Sequence, residues 1–265
     1  MNMWSLFSKQ TIVESNILNG MTDYHSHVLP GVDDGVSTSE KAFELLAFYE
    51  ELGIRHVWLT PHIMEDYPNK TDILRQQFEK FFTEYVRYSK NPVTLSLASE
   101  NMLDSLFMQR LSGNDLLPII DSSHLLVETS YYIPPFHFKE LLEQIKNKGY
   151  TLILAHPERY HYLSTMQEYE ELYHRGIQLQ LDIASIVGAY GEEARSKALV
   201  LLQKGYYSLI GTDVHHRENF VKWINIPIQK TVLKKMKSLL SGENSLKQLL
   251  LTNNQLVTRL IKFFD

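Results

Sequence analysis

The sequence predicts an α/β fold in which short β-strands alternate with amphipathic helices around a parallel sheet. Three observations support this class. Strand-like and helix-like patterns alternate along most of the chain, and the length of 265 residues is typical of a single α/β barrel domain. His, Asp and Glu residues also fall at the C-terminal ends of nearly all predicted strands. Because those ends share one face of a parallel barrel, we expect a TIM-like barrel with a polar cleft at that face.

Seven stretches carry the strand signal of β-branched and aromatic residues bounded by turn residues. In chain order they are 22–27, 56–62, 93–100, 124–130, 151–158, 177–184 and 207–215. The helix after the first strand is expected to begin with a capping box of Ser37 and Glu40 and to end at Gly53. Three helices show clear apolar faces, formed by Ala42, Leu45, Leu46 and Tyr49; by Phe138, Leu141, Leu142 and Ile145; and by Ala194, Ala198, Leu201 and Leu202.

Composition and charge exclude several functional classes. The chain has 26 Lys and Arg residues against 31 Asp and Glu, and a net charge of −5 offers nucleic acid no general attraction. Residues 221–265 carry eight basic and two acidic residues, and we interpret this tail as helices packed on the barrel. Residues 1–20 form an N-terminal extension without a signal-peptide pattern, and no apolar run approaches about 18 residues, so we expect a cytoplasmic protein without membrane insertion.

The polar strand ends supply residue types that bind metal ions. His25 and His27 lie two positions apart on a strand, so their side chains share a face. Alone, such a spacing is as typical of surface or hydrogen-bonded histidines as it is of a metal site. Five histidines and four carboxylates are too many for one ion and suit two or three ions of Mn, Fe, Zn or Mg. The remaining candidates are Asp34, His62, Glu100, Glu128, His156, Asp213 and His215.

Six motifs in this order, "DYHSHVLPGVDDG", "TPH", "SEN", "VETS", "AHPERY" and "TDVH", resemble the polymerase and histidinol phosphatase (PHP) family from about residue 22 to 220. More narrowly, "HVLPGVDDG" and "HPERY" resemble bacterial PHP-type protein tyrosine phosphatases of capsule and exopolysaccharide synthesis. The resemblance implies a distorted seven-stranded (β/α)7 barrel and three divalent or trivalent metal ions, of which we expect manganese first. The implied ligand sets are His25, His27, Glu100 and Asp213; Glu100, Glu128 and His156; and Asp34, His62 and His215.

The same resemblance implies hydrolysis of phosphotyrosine by a metal-activated hydroxide. The implied partner is the tyrosine-rich tail of a membrane-bound tyrosine kinase. Arg159 matches the arginine that family members turn toward phosphate, and Asp213 is a candidate proton donor. Tyr131 and Tyr132, in "TSYYIPPFHF", are expected either to stack on the substrate ring or to cap the barrel. Because the chain has no cysteine, a thiolate nucleophile is excluded and such activity has to depend on metal.

Two departures from the family pattern leave alternatives open. Asp182 stands where the family has an asparagine, and Arg217 would have to serve as a second phosphate-binding arginine next to His216. The alternatives are a small-molecule phosphoesterase such as a histidinol phosphatase, and a non-catalytic regulatory module with a structural metal site. Oligomerisation is compatible with each of these functions.

Overall fold

The computed structural model describes residues 8–119 and 123–242. The first seven residues of the predicted extension and residues 243–265 of the basic tail lie outside the described residues. No helix within the described ranges is long and apolar enough to span a membrane. The single-domain organisation stays a prediction.

The described residues contain eleven strands, numbered here in chain order. They are β1 Lys9–Gln10, β2 Thr22–Ser26, β3 His56–Leu59, β4 His62–Ile63, β5 Thr94–Leu97, β6 Glu100–Met102, β7 His124–Glu128, β8 Thr151–Leu154, β9 Gln178–Asp182, β10 Tyr207–Gly211 and β11 Ile228–Gln229.

The fold is an α/β arrangement with two parallel sheets and one short antiparallel pair. The larger sheet has the order β10-β9-β8-β7-β6-β4, the smaller has the order β2-β3-β5, and β1 pairs with β11. All five residues of β7 are buried, as expected for a central strand covered on both faces. The α/β class with parallel strands is therefore confirmed.

The predicted number of seven strands is not reproduced, because two of the seven stretches are each divided in two. The stretch 56–62 contains β3 and the first residue of β4. The stretch 93–100 contains β5 and the first residue of β6. Pro61 lies at the first break and has no backbone N–H to continue a ladder. After each break the chain passes from the smaller sheet to the larger one, where His62 is paired in register with Glu100. The short pair of β1 and β11 was not predicted.

The edges of the two parallel sheets meet at β2 and β10. Ser26 and Val214 form an isolated parallel bridge. Buried Asp23 accepts hydrogen bonds from the backbone N–H of Thr212 at 2.9 Å and from the hydroxyl of Tyr49 at 2.9 Å. These contacts bring together the C-terminal ends of strands that are far apart in sequence.

Helices fill the intervals between the strands. They are α1 Ile12–Ser15, α2 Ser39–Glu51, α3 Thr71–Tyr88, α4 Phe107–Ser112, α5 Phe138–Asn147, α6 Met166–His174, α7 Ile183–Ile186, α8 Gly191–Lys204, α9 Arg217–Ile224 and α10 Lys230–Ser241. The described part of the basic tail lies in α9 and α10, each of which buries two apolar residues.

The predicted apolar faces of α2, α5 and α8 pack into the hydrophobic core. The predicted capping box is wrong by one position. Thr38, whose backbone is extended, is the N-cap residue of α2, and its hydroxyl accepts the N–H of Lys41 at 3.4 Å. Ser37 lies one residue too early for this role and instead accepts a hydrogen bond from the Lys41 ammonium group.

Candidate metal centre

Four predicted ligands from three segments of the chain meet in a first group, formed by His25, His27, Glu100 and Asp213. Backbone hydrogen bonds hold two of these ends together. The N–H of Asp213 donates to the carbonyl of His25 at 2.9 Å, and the N–H of His27 donates to the carbonyl of Val214 at 3.0 Å. All four ligand side chains are buried.

The ligand atoms of the first group surround a common point. Nε2 of His25 lies 3.2 Å from Nε2 of His27, 3.1 Å from Oε2 of Glu100 and 3.3 Å from Oδ1 of Asp213. Nε2 of His27 lies 3.4 Å from the same Glu100 oxygen and 3.2 Å from the same Asp213 oxygen. A tetrahedron with such edges has its centre about 2 Å from each corner, which is the length of a metal–nitrogen or metal–oxygen bond. The first group therefore has the dimensions of a four-ligand metal site.

The second predicted group, Glu100, Glu128 and His156, is also brought together, and His62 joins it. Nε2 of His156 lies 3.0 Å from Oε1 of Glu100 and 3.9 Å from Oε2 of Glu128. Nδ1 of His62 lies 3.2 Å from Oε2 of Glu100 and 3.0 Å from Oε1 of Glu128.

The contacts of His62 in this group do not have hydrogen-bond geometry. Within the described part of the chain, Nδ1 of His62, Oε2 of Glu100 and Oε1 of Glu128 are buried without a hydrogen-bond partner. Leaving buried polar atoms unpaired is costly. Because these three atoms converge, a cation among them would satisfy all of them, and the residues present fit a metal ion.

A third group at the surface of the cluster contains Asp34, His62 and His215, with His27 behind them. Oδ1 of Asp34 lies 3.4 Å from Nε2 of His62 and 3.5 Å from Nε2 of His215. The rings of His27 and His215 stack with centroids 4.0 Å apart. All nine predicted ligand residues thus lie in three overlapping groups, and His27, His62 and Glu100 each lie in two of them.

The charges in these groups are strongly coupled. Burial alone would lower the pKa of His25, but the charges of Glu100 and Asp213 outweigh it and raise this pKa to about 9. Burial would raise the pKa of Glu100, yet neighbouring histidines, His25 foremost, hold it well below its usual range. Glu100 therefore stays ionised and favours positive charge beside it, either on protonated histidines or on a metal ion.

Two candidate ligands have a strained backbone. The φ angles of His156 and Asp213 are 33° and 47°, in the left-handed region. Such a conformation costs about 1–3 kcal/mol for a residue other than glycine, and it is concentrated at functional sites. A hydrogen bond from the N–H of Arg159 to the carbonyl of His156 at 3.0 Å helps to hold the first of these turns. The strain aims both side chains into the cluster.

Two further residues orient the ligands, although they were not predicted from the sequence. Oδ2 of Asp33 lies 2.8 Å from Nδ1 of His27, and Oε1 of Gln180 lies 2.9 Å from Nδ1 of His25. Because each acceptor engages Nδ1, it leaves Nε2 of that ring facing the first group. Asp33 directly precedes a predicted ligand, and Gln180 lies two positions before Asp182 on β9. Those positions are the sequence signals that point to them.

Arg159 lies between the first group and a small cavity. Its Nη1 donates to Oδ2 of Asp213 at 2.6 Å, and its Nη2 donates to the hydroxyl of Tyr131. The guanidinium carbon lies 4.7 Å from the ring centroid of Tyr131 and 4.0 Å from that of Tyr190. Tyr190, which the sequence did not suggest, therefore also contacts the guanidinium through its ring. The cavity beside them has a volume of about 120 Å³, and Tyr132 lies at its edge.

The other predicted residues lie nearby but differ in their contacts. Tyr132 is 72% exposed and stacks on His161 with ring centroids 5.0 Å apart. Arg217 is not brought to the cavity, because it begins α9 with its guanidinium 5.1 Å from the ring of Phe48. Asp182 is buried and caps α7 by accepting the N–H of Ala184 at 2.8 Å. Burial and then the charge of Asp213 raise the pKa of Asp182 well above its usual range.

Comparisons with known proteins agree on one family. The family model described as "Capsular polysaccharide synthesis, CpsB/CapC" matches residues 21–259. Tyrosine-protein phosphatase YwqE of Bacillus subtilis is 26% identical over 200 residues, which cover 74% of this chain and 78% of the relative. Tyrosine-protein phosphatase CpsB of Streptococcus pneumoniae is 23% identical over 206 residues, which cover 75% and 84%.

Among solved structures, a chain from the crystal structures of YwqE and CpsB superposes with a TM-score of 0.69 and 25% sequence identity. The match covers 90% of this chain and 94% of the solved one, and those two proteins are called unique metal-dependent tyrosine phosphatases.

Proposed function

Because the chain belongs to the capsular polysaccharide synthesis family CpsB/CapC, we propose that it is a metal-dependent protein tyrosine phosphatase. The observation that carries this proposal is the position of Arg159 between the first group of ligand residues and a cavity lined by tyrosine rings. A phosphoryl group bound at the first group would have this guanidinium beside it, and its phenyl ring would lie near the aromatic side chains of the cavity. The names of the relatives agree with this activity.

We propose three metal ions, held by the three overlapping groups. The unpaired buried atoms of His62, Glu100 and Glu128 and the tetrahedral dimensions of the first group support this proposal. Imidazole and carboxylate ligands without thiolate suit manganese first, with iron, zinc and magnesium as alternatives that metal analysis would distinguish. When bound, such ions supply Lewis acidity and make water nucleophilic at neutral pH.

Arg159 would bind and orient the phosphoryl group. A guanidinium has five N–H donors, and the side chain commits one to Asp213 and one to Tyr131. The other donors can form paired, charge-assisted hydrogen bonds with phosphoryl oxygens. Contacts with the rings of Tyr131 and Tyr190 restrain the guanidinium before substrate binds, which reduces the entropy lost on binding.

Asp213 would act as a ligand and as the anchor of Arg159. Although burial raises its pKa, the charges and hydrogen bonds of His25, His27 and Arg159 hold it well below its usual range. A carboxylate in that state is a poor proton donor. A phenolate leaving group, whose conjugate acid has a pKa of about 10, needs a proton donor less than an alkoxide does.

The proposed substrate is a phosphotyrosine protein, namely the tyrosine-rich tail of a tyrosine kinase of capsule or exopolysaccharide synthesis. The family supports the pathway, and the aromatic walls beside Arg159 support an aryl phosphate. The cytoplasmic location stays a prediction.

We also propose that the two parallel sheets form one distorted barrel. The bridge between Ser26 and Val214 and the hydrogen bonds of Asp23 support one junction between them. The second junction would lie where the chain passes from the smaller to the larger sheet around Pro61. A barrel would explain why ligands from β2 and β10 lie beside ligands from β6.

The proposed function is tested by hydrolysis of a phosphotyrosine peptide, a phosphoserine peptide and histidinol phosphate, before and after complete removal of metal. We expect the phosphotyrosine peptide to be the best substrate, activity to disappear on chelation, and single added metals to restore it. Activity that survives metal removal would exclude the mechanism. Faster hydrolysis of histidinol phosphate would favour the small-molecule alternative.

A matched pair of variants separates metal binding from general damage. Glu100→Gln removes a charge shared by the first and second groups, and we expect lower metal content with lost activity. Glu192→Gln changes an exposed glutamate that pairs with Arg195 on α8, and both properties should be retained. Equal metal content in the two variants would contradict the ligand assignment.

A further inference from the structure

We infer that a groove between α5 and α6 holds an apolar side chain of the substrate polypeptide, about three residues from the phosphotyrosine. This inference rests on the proposed phosphatase function and names a specificity site for it. The groove has a volume of about 330 Å³, which is in the range of sites that bind small apolar groups. Its apolar lining consists of Pro134, Pro135, Phe138, Tyr162, Leu163 and Leu172.

The groove lies next to the cavity beside Arg159, because adjacent residues of the same two chain segments line the two sites. In one segment, Tyr131 lines the cavity and Pro134 lines the groove; in the other, His161 lines the cavity and Tyr162 lines the groove. The N–H of His161 donates to the carbonyl of Tyr131 at 2.7 Å and ties the two segments together. A single hydrogen-bonded ridge therefore separates the two sites.

The length of this ridge sets the distance between the two binding positions. Tyr131 and Pro134 are three residues apart, so their backbones are separated by at most about 10 Å. An extended peptide covers this upper limit in about three residues. A phosphotyrosine beside Arg159 would therefore place a residue about three positions before or after it over the groove.

The chemistry of the groove favours an apolar side chain. The ammonium group of Lys139 is paired with Glu171 at 2.7 Å, and the guanidinium of Arg175 is paired with the same carboxylate at 3.0 Å. Both cations of the lining are thus paired, and the lining also contains the carboxylates Glu140 and Glu168, so the groove, as far as the described residues line it, offers no unpaired positive charge to an acidic side chain. Ile133 and Phe136, which flank Pro134 and Pro135 of the groove lining, are 72% and 89% exposed. A polypeptide crossing the ridge would cover part of this apolar surface, which is the kind that marks interaction sites.

The test compares phosphotyrosine peptides that carry one leucine at positions two, three or four before or after the phosphotyrosine, in a serine and glycine background. We expect leucine at three residues on one side to raise kcat/KM about tenfold over serine at the same position. Equal rates at every position, with good hydrolysis of all peptides, would overturn the assignment of the groove and leave the proposed phosphatase function standing. Failure to hydrolyse the peptides and p-nitrophenyl phosphate would overturn the proposed function as well.

A pair of variants then locates the preference. Phe138→Ala removes one wall of the groove, and the ratio of kcat/KM for the leucine and serine peptides should fall toward one. Tyr173→Ala removes an aromatic ring of α6 that stacks on Tyr206 outside the groove, and the ratio should be retained. A general loss of activity lowers kcat/KM for both peptides equally and leaves their ratio unchanged. An unchanged ratio in Phe138→Ala would assign the preference to another surface and overturn the inference.

Discussion

Replacement of Arg159 by alanine tests the catalytic arrangement most directly. The substitution removes the donor to Asp213, the donor to Tyr131 and the contact of the guanidinium with the ring of Tyr190. Loss of one donor aimed at developing charge costs about 10²–10³-fold in kcat. We expect about a 1000-fold fall in kcat on a phosphotyrosine peptide for Arg159→Ala, since paired donors are lost. Arg159→Lys keeps the positive charge but loses the planar set of N–H donors, so its kcat should fall less.

Metal content distinguishes a lost phosphate contact from a damaged centre. Oδ1 of Asp213 would keep its contacts with His25 and His27, so metal measured by mass spectrometry should be unchanged. Loss of the partner of Oδ2 should destabilise the fold by about 1–3 kcal/mol, measured by thermal unfolding. Arg195→Ala, at an exposed arginine paired with Glu192, is the control. Unaltered kinetics in a folded Arg159→Ala protein would refute the proposed role.

Three other outcomes follow from the geometry. Gln180→Leu removes the acceptor at Nδ1 of His25, and metal affinity measured by competition with a chelator should fall about 10–100-fold; unchanged affinity would contradict the orienting role. In Gly211→Ala a Cβ would lie 2.6 Å from Cβ of His25 and 1.8 Å from Nε2 of Gln180, so thermal unfolding should show a loss of about 1–3 kcal/mol; an unaltered midpoint would contradict the close approach. Because the pKa of His25 is raised to about 9, this ring is protonated at neutral pH without metal, so binding should release a proton below about pH 9 and less above it. Titration calorimetry in buffers of different ionisation enthalpy measures this release, and equal heats at neutral pH would refute it.

Much of the site was predictable because its residues fall at the ends of strands with clear signals. His25 lies in β2 and His27 directly follows this strand, two positions on, so both side chains face the same side, and parallel strands share the face that carries their C-terminal ends. The apolar faces of the helices were predictable for a similar reason, since helical periodicity is local. Both kinds of pattern can be recognised in the sequence without knowing which segments pack against them.

The remaining features depend on contacts between distant segments. The breaks that divide two strands arise where the chain changes sheets near Pro61, which a local strand pattern does not reveal. Tyr190 reaches Arg159 from a different loop, and Gln180 reaches His25 across 155 positions. The dual position of His62 follows from the register of β4 against β6. Each of these features depends on which distant segments pair in the folded chain and not on residue type alone.

The meeting of β2 with β10 also has a consequence for biosynthesis. Asp23 and Thr212 are 189 positions apart in the chain, and the first group needs residues from both ends of that interval. On the ribosome, the two histidines emerge long before Asp213, so an incomplete chain has no complete first group to capture metal. A premature stop anywhere in the interval would leave a product without this group. Folding of the centre is therefore a late event that depends on distant pairing, which is characteristically slow.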